Sequence, residues 1–453
     1  MKMCLYHYDI YPKVFLGDRE KTVTVLPLSD RTAFEVGKTY TVKIFKVNES
    51  NPDKYPERSG RSELSVTVGE DGLLKFTAFF EGEGEHFVKI YDGSEKDSIA
   101  SLSVYSLAED MKGRIPQRGD LHVHTCRSDG KEAPSAVVAN YRGHGYDFMT
   151  ISDHRRYYPS LEAKEIFDGI TDLNIVQGEE VHLPLNDVHY VNFGGSYSIN
   201  ALVTPNRNQK KAKDSLKYRS IDNNAPDPIT EEEFIEMIKE RSKSVDRENE
   251  SERLSFAVME WIFEHMQKNG GLGIFPHPYW LSRMMQLPEE YTEYIYKKAP
   301  FHAFEVLGGE NYFAQNGFQT GFYYEMKAKG IDHPIVGSTD SHCSLPEHNR
   351  NSLICSTVVF AKENTPEGIV EAIKDKYSVA VDTISTEYRL VGDFRLVKYA
   401  SFLMENYFPL HDLACRAEGY YMSRYAVGDE RASKILADMK GQIPEMQKKY
   451  FDL

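Results

Sequence analysis

Short runs in which apolar and polar residues alternate at period two fill the first quarter of the chain: KTVTVLPL, KTYTVKIFKV, SELSVTV, LLKFTAFF and HFVKIYD, with Gly, Asn and Asp between them. Side chains that alternate across a strand give one apolar face, so residues 1–114 are expected to form a β-sandwich-like domain of about seven strands. Nothing in it gathers catalytic side chains. After the basic stretch MKGRIPQRGD the pattern changes. Compact apolar runs (FMTIS, NIVQG, GLGIF, AFEVL, PIVGS, STVVF) alternate with helical stretches such as APSAVVANYRGHGY and LSFAVMEWIFEHMQKNGG. Strand and helix in alternation predict a parallel sheet with helices outside, open or closed into a barrel, over residues 115–385. Both periods fade over about 196–252, which reads as an insertion or lid, or equally as a solvated helical excursion. Residues 386–453 are helical in pattern. Two roles stay open for this extension, capping the barrel or pairing with a second copy of the chain.

In such folds the functional site lies at the C-terminal ends of the strands, and that is where the His, Asp and Glu residues fall. His122 and His124, two apart at a strand end, project to one side and can grip one ion. Asp129 sits in the Ser-Asp-Gly turn that follows. Asp153 and His154 follow FMTIS, Glu179 and Glu180 follow NIVQG with His182 and His189 just beyond, His277 follows GLGIF, and Asp340 and His342 follow PIVGS. Imidazole with carboxylate and without thiolate suits zinc, manganese or iron and argues against a closed structural zinc. Carboxylate bridging can seat two such ions close together, and a water between them becomes the expected nucleophile.

The ordered motifs His-x-His, Ser-Asp-Gly, Ser-Asp-His, Gly-x-Glu, Pro-His-Pro and Asp-Ser-His resemble those of the PHP (polymerase and histidinol phosphatase) family over about 270 residues. The resemblance implies a distorted (β/α)7 barrel with two or three divalent ions and a phosphoesterase activity. It implies that His122, His124 and Asp340 hold one metal, that Glu180 bridges to a second completed by His189 and His277, and that Asp129, His154 and His342 hold a third. His189 is preferred to His182 because it precedes YVNFGG, as the family's histidine does. Asp340 and His342 are also the candidate proton shuttles. Asp120 and Asp153 are expected behind the ligands, orienting them by hydrogen bonds. Arg127, Arg155 and Arg156 are the candidate phosphate clamps, with Tyr279 lining the substrate pocket. Glu179, on the opposite face of its strand from Glu180, is expected to be solvated or paired with a lysine. His144, His265, His302 and His333 are expected outside the site. The long insertion and the N-terminal domain depart from the minimal family pattern.

A net charge of −15 on 453 residues disfavours a broad surface for nucleic acid or anionic membrane. No apolar stretch approaches the length of a membrane span and the N-terminus lacks a secretory pattern, so a cytoplasmic location is expected. The five cysteines are scattered without CxxC pairing, as for reduced thiols. The expected activity is hydrolysis of a phosphate mono- or diester of a small metabolite, sugar or nucleotide. The alternatives are an amide or lactone hydrolase on the same barrel, and a carbohydrate- or protein-binding module with a vestigial barrel. A nuclease or proofreading role fits an acidic chain poorly.

Overall fold

The structure is a computed structural model that describes residues 6–48, 61–93, 97–186, 188–205, 220–281, 284–308, 312–345, 354–383 and 388–453. It divides into two units, each with its own core. Unit 1 comprises residues 1–115, 394–414 and 441–453; unit 2 comprises 116–393 and 415–440.

In unit 1 the period-two pattern becomes two sheets. Strands β1 (Tyr8–Tyr11), β3 (Arg19–Pro27) and β6 (Leu74–Phe80) form one. The other runs β22 (Phe451–Asp452), β2 (Val14–Leu16), β8 (Ala100–Leu107), β7 (Gly84–Tyr91), β4 (Thr39–Lys46), β5 (Arg61–Thr67). Residues of β6 alternate strictly between buried and exposed. The inward residues of both sheets, Val23 and Phe76 from one and Val42, Val88 and Val104 from the other, share one core. The C-terminal helices do not stand apart as an extension. Helix Phe394–Asn406 lays Tyr399 and Phe402 on Tyr105, with ring centroids 5.0 and 5.3 Å away, and its Arg395 pairs with Glu83 and Asp110. Residues 415–440 belong to unit 2, where Glu418 holds the fully buried Arg142 at 2.8 Å. The boundary expected near residue 385 falls outside the described residues.

Unit 2 is a mixed α/β fold. One sheet has the order β11 (Asn174–Val176), β10 (Phe148–Thr150), β9 (Ile115–Asp120), β19 (Cys355–Ala361), β20 (Ser378–Asp382), β21 (Arg389–Val391). The other has β12 (Gly178–Val181), β13 (Tyr190–Phe193), β16 (Leu272–Phe275), β17 (Ala303–Leu307), β18 (Ile335–Gly337). Two expectations change here. The strands are not all parallel: β13 runs antiparallel to both its neighbours. Residues 182–189 are too few for the crossover of about a dozen residues that a parallel return needs, so the chain turns straight back. Nor do the described strands close into one hydrogen-bonded barrel. They are short, and between the two sheets only the isolated bridges Val123 to Ser341 and His154 to Glu180 form. Both bridges lie at the strand ends where the candidate ligands sit.

The 196–252 segment is not a solvated excursion in its described parts; residues 206–219 lie outside them. Ile199, Leu202 and Val203, with Phe234 and Ile238 of helix Glu231–Ser242, join the main core of unit 2. That helix begins at a capping box, with Thr230 and Glu233 each satisfying the other's backbone N–H.

His302 lies outside the site, and its Nδ1 accepts the Gly273 N–H at 2.9 Å. Burial lowers its pKa from 6.5 to about 4. The unfolded chain therefore takes up a proton between pH 6.5 and 4 that the folded chain refuses, so this stabilisation is complete above about pH 6.5 and is lost toward pH 4. In chemical denaturation, the stability gap between wild type and His302→Asn should shrink by about 1–3 kcal/mol as pH falls through that window. A constant gap would refute this.

Candidate metal centre

The ligand cluster is assembled by backbone pairing at the strand ends. Past β9, the His124 N–H donates to Ser341 O and the Asp340 N–H to His122 O, both at 2.9 Å. This brings His122 Nε2 and His124 Nε2 to 3.3 and 3.0 Å from Asp340 Oδ1. On the other side the Ser152 N–H donates to Val123 O, the Glu180 N–H to Ser152 O and the Arg155 N–H to Glu180 O. Glu180 thereby enters the centre with 1 % of its surface exposed. One of its oxygens lies 2.6 Å from His154 Nδ1, 3.4 Å from His124 and 3.6 Å from His122; the other lies 2.7 Å from His189 Nδ1 and 3.6 Å from His277. Asp129 Oδ2 approaches His154 and His342 at 3.3 and 3.4 Å. Gly130 lets the turn fold this tightly, because a Cβ there would sit 2.7 Å from the His124 carbonyl.

All nine residues expected as ligands are brought together. They form four overlapping groups, each with its ligand atoms within 4.8 Å of one another: His124, Asp129, His154, His342; His154, Glu180, His182, His189; His122, Glu180, His277; and His122, His124, Asp340. His182 is present beside His189, but 3.9 Å from Glu180 and hydrogen-bonded instead to His154 Nδ1 at 2.8 Å. Four non-glycine residues in and beside this centre hold positive φ: Arg155 (57°), Leu185 (65°), His277 (31°) and Asp340 (48°). Backbone strain of this kind persists only where the surroundings enforce it.

A supporting layer holds the cluster. Asp120, fully buried, accepts from the backbone N–H groups of His122 and Thr339 and from the hydroxyls of Thr339 and Tyr141. Burial pushes its pKa to about 7. Asp153 accepts from Thr125 N–H, the Thr125 hydroxyl and Ser128, pinning the loop that carries Asp129; burial raises it to about 6. Two supports carried no clear sequence signal. Gln286 Oε1 lies 2.9 Å from His277 Nδ1, and Glu305, completely buried, lies 3.1 Å from His122 Nδ1. A lone carboxylate inside the apolar run AFEVL is the one hint that Glu305 offered.

Electrostatics tie the cluster together. Burial opposes charge on His154 and His277, yet the neighbouring carboxylates outweigh it and raise them to about 10 and 9. Burial lowers His124 to about 3, helped by the neighbouring His154. Against their own burial, the surrounding imidazoles hold Glu180, Asp340 and Asp129 well below the usual carboxylate range.

Other expectations are redirected. Glu179 is not solvated: both faces of β12 are covered, and its carboxylate accepts from Ser198, Asn192, Asn200 and Ile199 N–H. Arg127 is held bidentately by Glu162 at 2.9 and 2.6 Å, and Arg156, 3 % exposed, by Asp222 at 2.9 Å. Tyr279 turns into an aromatic cluster with Phe318 and Phe322, 6.2 and 5.6 Å between centroids, where its ring is more fully desolvated than at a pocket wall. Arg155 lines a cavity of about 540 Å³ together with His182. His144 is exposed, His265 packs on Trp261 and His333 bonds Tyr296 O, all away from the cluster.

No family model and no curated protein matches the chain. Among solved structures it is similar to a two-domain protein of Bacteroides vulgatus containing a predicted PHP-like metal-dependent phosphoesterase (20% identity, 59% of this chain, 65% of that one, TM-score 0.37). It is also similar to a protein of Bifidobacterium adolescentis provisionally assigned as a metal-dependent phosphoesterase (19% identity, 49% and 87%, TM-score 0.31). A third is an amidohydrolase of Chromobacterium violaceum with bound sulfate and no metal (13% identity, 52% and 89%, TM-score 0.31). The chain thus spans a little under two thirds of the first of these proteins. Among the described residues no helix is long and apolar enough to cross a membrane.

Replacing Asp120 by Ala removes the shared acceptor of two backbone N–H groups and two hydroxyls in a dry interior, and thermal or chemical denaturation should show a loss of about 3 kcal/mol or more. Asp120→Asn, which keeps one of the two acceptor oxygens, should lose clearly less. Equal losses would remove the hydrogen-bonding role.

Proposed function

We propose that this chain is a metal-dependent hydrolase, with phosphate ester hydrolysis as its leading activity. One observation carries the reading. His122 Nε2, both ring nitrogens of His124 and both carboxylate oxygens of Glu180 are buried and, although charged groups approach them to as little as 2.6 Å, none forms a hydrogen bond of regular geometry. Leaving such groups unsatisfied costs about 1–3 kcal/mol each, more when charged, and divalent cations seated in the overlapping ligand groups would satisfy them. The donor set fits: imidazole and carboxylate converge, and neither nearby cysteine belongs to a ligand group.

In this reading His122, His124, Asp340 and Glu180 hold one ion, Glu180, His189 and His277 a second, and Asp129, His154 and His342 a third. Bound divalent ions would supply Lewis acidity toward a phosphoryl or carbonyl oxygen and a more acidic water. The chain's own residues do the rest. Glu305 and Gln286 fix the rings of His122 and His277, the Asp340 carbonyl fixes that of His342 through its Nδ1, and Arg155 binds substrate oxygens. One observation favours a second reading, cleavage of an amide or lactone: two of the candidate phosphate clamps, Arg127 and Arg156, are engaged by carboxylates.

Elemental analysis of protein purified without added metal should find two or three ions per chain. Turnover of p-nitrophenyl phosphate mono- or diesters with added manganese should fall at least about 100-fold in His122→Ala. Metal without ester hydrolysis would shift the assignment to the amide or lactone reaction; absence of metal would end the hydrolase reading. Glu305→Gln should weaken metal binding about 10- to 100-fold in a chelator competition while leaving the fold intact by circular dichroism. Unchanged affinity would show that His122 needs no such support.

A further inference from the structure

His182 stands outside the nine expected ligands, yet the fold builds it into the centre. It comes directly after β12, two residues past Glu180, and its ring stays on the same side of the strand, with Nε2 3.9 Å from Glu180 Oε2. Asn200 fixes it there: its Oδ1 accepts the His182 backbone N–H at 2.9 Å while its Nδ2 donates to Glu179. His182 Nε2 lies 2.8 Å from His154 Nδ1, and that same Nδ1 lies 2.6 Å from Glu180 Oε2. A ring nitrogen holds either one hydrogen or one lone pair, so His154 Nδ1 can satisfy one of these two neighbours and leaves the other contact unsatisfied. With His189, these three residues form a group whose ligand atoms all lie within 4.8 Å of one another. Each oxygen of Glu180 also faces two ways. Oε2 has His154 and His182 on one side and His122, at 3.6 Å, on the other; Oε1 has His189 at 2.7 Å and His277 at 3.6 Å. The first side is open and the second closed: the side chains of His154, His182 and His189 are 22, 17 and 29 % exposed, those of His122 and His277 0 and 6 %.

We propose that His182 completes an outer cation seat with His154, Glu180 and His189, and that ions pass through it to and from the buried position between His122, Glu180 and His277. This goes beyond the hydrolase reading and rests on its claim that the centre binds metal. A bare divalent ion is costly to carry through a dry interior, so a buried position needs a route along which ligands are exchanged and never all lost at once. Glu180 supplies that route. An ion moving inward keeps a carboxylate oxygen at every stage and trades the outer rings for those of His122 and His277. Imidazole with carboxylate in both groups suits the same divalent ions. The outer seat borrows Glu180 and His189 from the second ion and His154 from the third, so it is a station on the path and not a fourth permanent site.

The test follows cobalt(II) in the full chain after chelator treatment, with uptake read by visible absorption and release read into excess chelator. In His182→Ala both rates should fall at least about tenfold while the equilibrium affinity stays as in wild type, because a seat on the path lowers the barrier equally in both directions. His182→Gln keeps a hydrogen-bonding group beside His154 but is a poor ligand, so it should be slowed in the same way, and it carries the test should His182→Ala fail to fold. Wild-type rates in His182→Gln beside slow ones in His182→Ala would reduce His182 to a support for the His154 ring and overturn the proposal. Unchanged rates in both variants would overturn it as well, in favour of entry past Asp129, and so would a loss of affinity at an unchanged rate of uptake. The two claims fail separately: a wild-type protein that takes up no cobalt ends the hydrolase reading, whereas one that takes it up at rates the variants share ends the outer seat alone.

Discussion

The burial of the Glu180 carboxylate among imidazoles is the constraint around which unit 2 is organised. A charged carboxylate in a dry interior is tolerated only when paired, and here the partners are rings contributed from five separate stretches of chain, at 122–124, 154, 182, 189 and 277. Each of those stretches has to end where the others end. The isolated bridges between His154 and Glu180 and between Val123 and Ser341 do that aligning, at the places where regular strand pairing stops.

What keeps such a centre from collapsing is the layer behind it. Asp120 ties the backbone after β9 to the backbone after β18 through Thr339, and Asp153 ties the Ser-Asp-Gly loop to the end of β10. Burial raises both carboxyls, and their hydrogen bonds to backbone N–H groups and hydroxyls hold the two loops. Glu305 differs, facing the ring of His122 directly. The first two act on backbone and the third on a side chain, which separates shaping the site from aiming one ligand.

The segment once readable only as a gap in periodicity turns out to serve both purposes. Ser198 and Asn200 clamp Glu179 on the strand face opposite Glu180, so the insertion begins by locking the strand that delivers the central carboxylate. It then supplies Phe234 and Ile238 to the core and a wall to the cavity. Its signal was in the chain, as the capping box at Thr230 and an i, i+4 apolar pair in TEEEFIEMI, but the surrounding charges hid it.

The sequence by itself determined which residues meet at the centre. Most of the ligands directly follow strand-length apolar runs, and those runs, though divided between two sheets, end at the bridges that join the sheets, while His189 precedes the reversed strand β13. It also determined the period-two strands of unit 1, since alternation needs no knowledge of partners. Only the tertiary structure decided the rest. The reversal of β13 followed from a connection too short to cross over, and the engagement of Arg127 by Glu162 and of Arg156 by Asp222 joined residues 35 and 66 positions apart. The choice of Glu305 as support for His122 spans 183 positions. Periodicity and motif spacing report what one segment prefers, whereas long-range pairing is set by which buried charge finds a partner once the core has closed, and no local pattern encodes that.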